Sequence, residues 1–432
     1  MPHRHPLRSF RILLHHPAVT ALLAASGDTE CHLVGGVLRD RALGLPIHDV
    51  DAVVAARGKE IAERLAADLP ARLVLLGGKD FAAYRLVGED LTIDLWDRDG
   101  TSLHEDLARR DFTVNSFALE PHTAAIVDPF GGLADLERSL LRATTPASFA
   151  GDPLRVLRLP RLLLRLPGFA AEPGTVVLAR RHASRLVEVA AERVRDELAA
   201  LFSHPEAHRG LAFLVALDLY PGLWLGAPGE PGQAGGAVSE LEALPGCIRR
   251  LREIDTALAD TVDARTARIA ATFAHLPARE GKGPLDFLTL VRDAGYLTRQ
   301  TAADVAALLA WDEVPEGDVG RRRFLHRAGR LWTTALCSLG ARIAARGDAA
   351  AAERWRSGLS AVADLARREG ATLFEPPRLL SGADVQELLG IPPGPGVGRA
   401  LDAVRQALVD GTIRTREEAV ALVLGKVPQV PK

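Results

Sequence analysis

The sequence predicts an α/β head followed by an all-helical remainder, and three observations carry that prediction. Short apolar runs alternate with helical stretches between residues 31 and 95. A glycine pair, an Arg-Asp pair and a DxD pair crowd into one strand-turn-helix-strand stretch, LVGGVLRDRALGLPIHDVD, at 33–51. From residue 135 onward almost every periodic segment repeats at helical spacing.

Taken in order, residues 1 to about 30 read as one lead-in helix with apolar positions Leu13, Leu14, Val19, Leu22 and Leu23. Strands follow at Leu33-Val34, 50–54, 72–76, 82–87 and 91–95, with helices at 37–43 and 58–68. Amphipathic helices are expected at 152–166 and 186–202, and the Gly- and Pro-rich stretch 226–236 reads as a loop or linker. Further helices are expected at about 239–276, 284–311, 319–345 and 347–369. Two helical segments flank Gly390–Gly396 in the tail, 379–425. At 432 residues the chain exceeds one compact core. We divide it into the lead-in at 1–30, head at 31–145, neck at 146–205, body at 206–375 and tail at 376–432.

Composition narrows the class. Charged residues make up 25% and apolar ones 47%, with no run of about 18 apolar residues and no signal-peptide pattern, which excludes a membrane partner and leads us to expect a soluble cytoplasmic protein. Cys31, Cys247 and Cys337 have no metal-ligand spacing, and an odd, scattered set argues for reduced thiols. A formal net charge of −2 argues against a uniformly basic nucleic-acid coat and leaves room for a local basic groove.

The stretch 33–51 has the chemistry of a nucleoside triphosphate held on a divalent cation. Gly35 and Gly36 end an apolar strand, where the lack of side chains lets backbone N–H groups approach a phosphate and a helix begin. Arg39 and Asp40 lie on the first turn of that helix. In the strand from His48 to Val54, a period of two puts the Asp49 and Asp51 carboxylates on one face, about 6.5–7 Å apart along the backbone, where they can share divalent metal. A lone glycine pair is usually a turn and a lone DxD a pair of solvated caps; the conjunction favours a nucleotidyltransferase. Asp94, in the apolar strand Thr92-Ile93-Asp94-Leu95, is either a third carboxylate beside them or a strand-end residue facing water.

Two further motifs follow, EDLARRDFTVNSFAL at 105–119 and DPFGGLADL at 128–136. Together the three resemble the family of class II CCA-adding tRNA nucleotidyltransferases and bacterial poly(A) polymerases, whose pattern runs GGxVRD, DxD, RRDFTxNA and DxxGGxxDL. The resemblance is dense over 31–202 and reappears near 380–420. It implies a polymerase β-like α/β nucleotidyltransferase head followed by an all-α neck, body and tail. It implies Mg2+ on Asp49 and Asp51, CTP and ATP as nucleotides, and a tRNA or other RNA 3′ end as acceptor, with Asp94 helping to deprotonate the attacking hydroxyl. Gly36 with Gly35, and Arg39, would meet the triphosphate, Arg110 phosphate, Asp111 the ribose hydroxyls, and Asn115 would orient the sugar.

The segment opening at Asp152-Pro153 is similar to the family's EDxxR helix, in which Asp152 and Arg155 would pair with the base edge of CTP or ATP. Asp152, Arg155, Arg158 and Arg161 recur every three residues and wind along one side of that helix. Gly151 stands where the family has glutamate, Pro160 interrupts the helix, and only residues 95–108 separate Asp94 from the RRD motif. The family's longer loop there is associated with switching from C to A addition, so its loss resembles enzymes that add only cytidines. His275-Leu276 replaces the His-Asp pair that a phosphohydrolase body would need. A poly(A) polymerase of the same fold and a catalytically impaired RNA-binding relative are the competing readings; the oligomeric state is left open.

Overall fold

A computed structural model describes residues 6–78, 81–89, 91–98, 100–217, 235–274 and 284–425. Residues 226–234 of the linker expected at 226–236, the pair His275-Leu276 and the last seven residues lie outside that set, while Gly235 and Gly236 open a helix, Gly235–Ile254, rather than belonging to a loop. The chain divides into two compact units, one formed by residues 1–197 with 217–219, the other by 198–216 and 220–432.

The first unit opens with two helices rather than the single lead-in helix, α1 (Pro6–Leu14) and α2 (Pro17–Ser26). Pro17 has no N–H to continue a helix and is favoured at a first helical position, and the His16 imidazole accepts the Ala18 N–H as a cap. Strand β1 (Cys31–Val34) then leads through Gly35 into α3 (Gly36–Leu43), β2 (Asp49–Val54) and α4 (Gly58–Asp68). A hairpin, β3 (Arg72–Gly78) and β4 (Phe81–Val87), precedes β5 (Thr92–Asp97) and the short α5 (Leu103–Ala108). Two strands not foreseen, β6 (Ala118–Glu120) and β7 (Ala125–Val127), complete a seven-stranded sheet of order β3-β4-β5-β2-β1-β6-β7. At three residues each they are too short to show a period. Every neighbouring pair is antiparallel except β2 and β5, which run parallel with Asp51 opposite Asp94. Val34, Val53, Leu107 and Ala118 form a buried cluster that seats α5 against the sheet.

Beyond the sheet, α6 (Gly132–Glu137) and α7 (Ser148–Gly151) lead to α8 (Arg155–Arg165). The helix expected from 152 begins at Arg155, because Asp152 folds back to accept the Leu154 N–H at 3.3 Å. Pro160 lies inside α8 without ending it, in a helix whose apolar side is buried through Val156, Leu157, Leu159, Leu162 and Leu164. Helix α9 (Pro173–His182) and a 3-10 turn at 183–188 follow, so the helix expected from 186 starts only at α10 (Ala191–Ser203).

The second unit, where described, is helical. The long helices expected there are broken: 239–276 at Asp255 and 261–263, 284–311 at 294–298, and 319–345 at Gly329. Gly295 and Gly329 adopt positive φ of 83° and 52°, which ends a helix at little cost only for glycine. The tail holds three helices, Gly382–Leu389, Pro395–Asp410 and Arg416–Val423, around Val385, Val404, Leu408 and Ile413. Its N-caps Ser381 and Thr415 form capping boxes with Asp384 and Glu418. Among the described residues no helix is long and apolar enough to cross a membrane.

Candidate nucleotide pocket

All of the pocket belongs to the first unit. A cleft of about 390 Å³ opens where β2 meets α3 and α8, and Gly36, Arg39, Asp49, Asp51, Asp94, Asn115, Arg158 and Arg161 of the expected residues line it. Gly35 lies behind it at φ 77° and ψ −149°, a conformation essentially confined to glycine. A β-carbon there would sit 2.5 Å from Asp51 Oδ2, so the absent side chain is what admits the carboxylate. Burial pushes the Asp51 carboxyl up to about 6; Arg110 opposes that shift, and Asp94 and Asp49 add to it.

Arg39 is fixed from two sides. Its Nη1 donates to Asn115 Oδ1 at 2.6 Å, and its Nε to Asp40 Oδ1 at 2.8 Å. Asp40 in turn accepts from Arg165 Nη2 at 2.7 Å. Asn115 Nδ2 donates to Asp111 Oδ1 at 2.9 Å, and Asp111 Oδ2 lies 3.2 Å from Arg158 Nη1. Burial acts to raise the Asp111 carboxyl, but the Arg158 charge and the bonds from Asn115 and the Phe112 N–H outweigh it, holding Asp111 below the usual carboxylate range. Glu197 of α10 faces Arg161 Nε at 2.5 Å and Arg158 Nε at 3.8 Å.

These ion pairs are close but incompletely aligned. Asp111 Oδ2, Arg155 Nε, Arg158 Nε, Arg161 Nε and Glu197 Oε2 are all buried without a hydrogen-bond partner. The cluster thus meets its charges by ion pairing while leaving hydrogen-bonding capacity at Arg158 and Arg161, two of the residues that line the cleft.

Besides Gly35, four expected residues stand outside the cleft lining. Arg110 pairs with Asp106 at 3.0 Å and packs over the Trp96 ring, 5.3 Å from its centroid. Asp111 supports Asn115 and Arg158 from below. Asp152 pairs with Arg193 at 2.8 Å. Arg155 donates to the carbonyls of Ser148, at 2.8 Å, of Arg110, at 3.3 Å, and of Arg109.

The DPFGGLADL motif underpins the RRDFT segment. Asp128 accepts the N–H groups of Gly132 and Leu133 at 2.7 and 2.9 Å, while buried Asp135 accepts from Thr113 Oγ1 at 2.6 Å. The link from β5 to α5 is tied at three of its described residues. Asp97 accepts the Gly58 N–H at 2.8 Å, Arg98 pairs with Glu30 at 2.7 Å, and Ser102 caps α5 through a box with Glu105.

Arg85, Arg165 and Glu197 also belong to the cleft or its wall and were not foreseen. Arg165 extends the Arg158 and Arg161 side by one more turn and was within reach of the helical period. Arg85 and Glu197 gave no signal until strand register and helix docking were known. Among the described residues no three His, Cys, Asp or Glu side chains converge as a ready-made metal cage. Mg2+ needs only one or two protein carboxylates when substrate phosphates and waters complete its shell, so Asp49 and Asp51 suffice.

Residues 31–142 match the family described as the poly A polymerase head domain, and 168–225 match the probable RNA and SrmB-binding site of polymerase A. The chain is 31% identical to a CC-adding tRNA nucleotidyltransferase of Geobacter sulfurreducens over 99% of both chains. It is 34% identical to an A-adding tRNA nucleotidyltransferase of Deinococcus radiodurans over 76% of this chain and 81% of that one. The Bacillus stearothermophilus CCA-adding enzyme in complex with CTP superposes with a TM-score of 0.65 at 26% identity, covering 98% of each chain.

Proposed function

We propose that this chain, which belongs to the tRNA nucleotidyltransferase family, adds cytidine to the 3′ end of tRNA, taking CMP from CTP and releasing pyrophosphate. The observation that carries the reading is the placement of Asp49 and Asp51 on one edge of an arginine-lined cleft that also holds Arg39, Asn115, Arg158 and Arg161. The RNA 3′-oxygen bonds to the α-phosphorus as the bond to the β-phosphate bridging oxygen breaks, and the hydroxyl proton passes to solvent.

Asp49 and Asp51 are the residues we assign to Mg2+; a partly buried carboxyl pushed up to about 6 is one that gains from a neighbouring cation. Bound there, the cation supplies charge neutralisation at the reacting phosphate and acidifies the attacking hydroxyl. The chain's own residues do the positioning. Backbone at Gly35 and Gly36 lets the triphosphate approach, and Arg39, braced by Asp40 and Asn115, meets its charge. Asn115 serves the sugar, and Asp111, expected at the ribose hydroxyls, acts through it by holding its amide from below. Arg110, stacked on Trp96, contributes its charge from behind Asp51 rather than from the cleft.

We assign base recognition to α8. Arg158 and Arg161 line the cleft, held by Asp111 and Glu197. Asp152 and Arg155 form the Watson–Crick-like pair, Arg155 leaving its backbone carbonyls when a base arrives; an Arg fork and a carboxylate offer the donors and acceptors that such an edge requires. The head at 31–145, neck at 146–205, body at 206–375 and tail at 376–432 are the functional divisions we attach to this scheme, with RNA on the tail. A cytoplasmic setting suits these substrates and three free cysteines.

The restriction to cytidine rests on the short link between β5 and α5. A lever that reshapes the pocket after the second C needs length, and the connection here is short, with Asp97, Arg98 and Ser102 each tied to a neighbour. The test is incubation with tRNA ending at the discriminator base, at −C and at −CC, with each NTP alone. CMP should enter the first two, with little AMP on the third. Efficient AMP addition to −CC would refute the restriction, and long A tracts would favour polyadenylation.

A further inference from the structure

One pair in the cleft has no part in this scheme. Strands β2, β5 and β4 are consecutive in the sheet, and their registers put Asp51 opposite Asp94 and Asp94 opposite Arg85, a row of two carboxylates and a guanidinium. Arg85 and Asp94 both line the cleft. The guanidinium grips the carboxylate as a fork, Nε to Oδ1 and Nη2 to Oδ2, each at 2.7 Å. Both oxygens of Asp94 are therefore engaged, and its charge is matched. The Asp94 side chain is 17% exposed and that of Arg85 44%, so the carboxylate is the inner partner and the guanidinium the outer one. Nη1 takes no part in the fork and remains a donor.

The position of the row says what Arg85 meets. Gly35, Gly36 and α3 lie on the β1 side of Asp49 and Asp51, whereas Arg85 lies on the β4 side. The proposed reaction puts the triphosphate, and hence the leaving pyrophosphate, on the glycine side. Attack in line with the leaving group then brings the RNA 3′ end in from the other, past β5 and β4. We infer that Arg85 contacts a backbone phosphate at the 3′ end of the acceptor RNA, and that Asp94 is the positioning residue that aims it. This inference rests on the nucleotidyl-transfer reading above. Asp94 then acts through Arg85, and an unbroken fork is compatible with catalysis.

The experiment is a double-mutant cycle on the full chain, Arg85→Ala, Asp94→Asn and both together, read by binding to tRNA ending in −C without nucleotide across a salt series. CTP binding without tRNA and CMP incorporation are measured alongside. Arg85→Ala should weaken tRNA binding several-fold and lower the slope of log affinity against log salt by about 0.7, the value for one single-strand phosphate contact. Asp94→Asn should reproduce most of that loss, the double variant should be no worse than Arg85→Ala, and CTP affinity should stay within twofold. Arg85→Lys should recover part of the affinity. An unchanged salt slope, additive losses or an equal loss of CTP affinity would overturn the inference. So would an Asp94→Asn variant that binds tRNA normally yet does not turn over, since Asp94 would then act on the chemistry directly. Absence of CMP incorporation by the parent chain would sink the function and leave the tRNA-binding comparison readable by itself.

Discussion

Replacing Gly35 by alanine tests the site at its tightest point. The residue sits at φ 77° and ψ −149°, where a β-carbon costs about 1–3 kcal/mol in backbone strain. The added carbon would also lie 2.5 Å from Asp51 Oδ2 and 3.2 Å from Arg110 Nη1. Attractive carbon contacts begin near 3.5 Å, so the Asp51 carboxylate must withdraw by roughly 0.5–1 Å. Misplacement of a reacting group by about 1 Å costs on the order of 100-fold in rate. Gly44 is the control, because it too has positive φ, 72°, yet nothing lies within 4 Å of its missing β-carbon. Single-turnover CMP incorporation should fall at least 100-fold in Gly35→Ala and less than threefold in Gly44→Ala, whose αL backbone (φ 72°, ψ 21°) strains a β-carbon less, while melting curves show the larger loss of stability in Gly35→Ala with both variants folded at the assay temperature. Equal activity in both variants would refute the claim that Gly35 exists to admit Asp51.

Three further substitutions extend the argument. Asp51→Asn should abolish incorporation yet stabilise the metal-free protein by on the order of 1–3 kcal/mol above pH 6. A folded-state carboxyl raised to about 6 penalises folding once ionised, and the gain should vanish below about pH 4, as paired melting curves in EDTA would reveal. Arg155→Ala should lose discrimination between CTP and UTP more than it loses turnover, measured as the ratio of kcat/KM values; an unchanged preference would reduce Arg155 to a brace for the 109–110 backbone. Gly132→Ala puts a β-carbon 2.2 Å from the Thr113 carbonyl oxygen and should cost roughly 1–3 kcal/mol of stability, seen as a lowered Tm with a parallel loss of activity.

Much of the head was legible because its signals are local. The glycines ending β1, the DxD alternation in β2 and the helix at 58–68 each follow from a few neighbouring residues, and strand and helix bounds fell within two or three positions. The longer helical runs of the second unit were merged because apolar spacing continues through breaks set by single residues such as Asp255 and Gly329. The site divides the same way. Asp49 and Asp51 could be named from spacing and Arg39 from the family resemblance, whereas the Asp94–Arg85 fork depends on which strands pair, and the Arg161–Glu197 contact on how α10 docks against α8. The resting place of Arg155 on backbone carbonyls belongs to no sequence pattern at all.

The parallel pairing of β2 with β5 also dictates when the pocket can exist. Asp51 and Asp94 are neighbours only after α4 and the β3-β4 hairpin have packed, because a parallel partner cannot be reached by a tight turn. The arginine wall is supplied later still, by Arg158 and Arg161, and Glu197 comes last. During synthesis, then, nearly two hundred residues must leave the ribosome before any nucleotide finds a complete seat. On the scheme proposed above, a half-made head, with Asp51 and Asp94 apart and Arg158 and Arg161 untranslated, cannot yet transfer a nucleotide to whatever RNA end lies nearby.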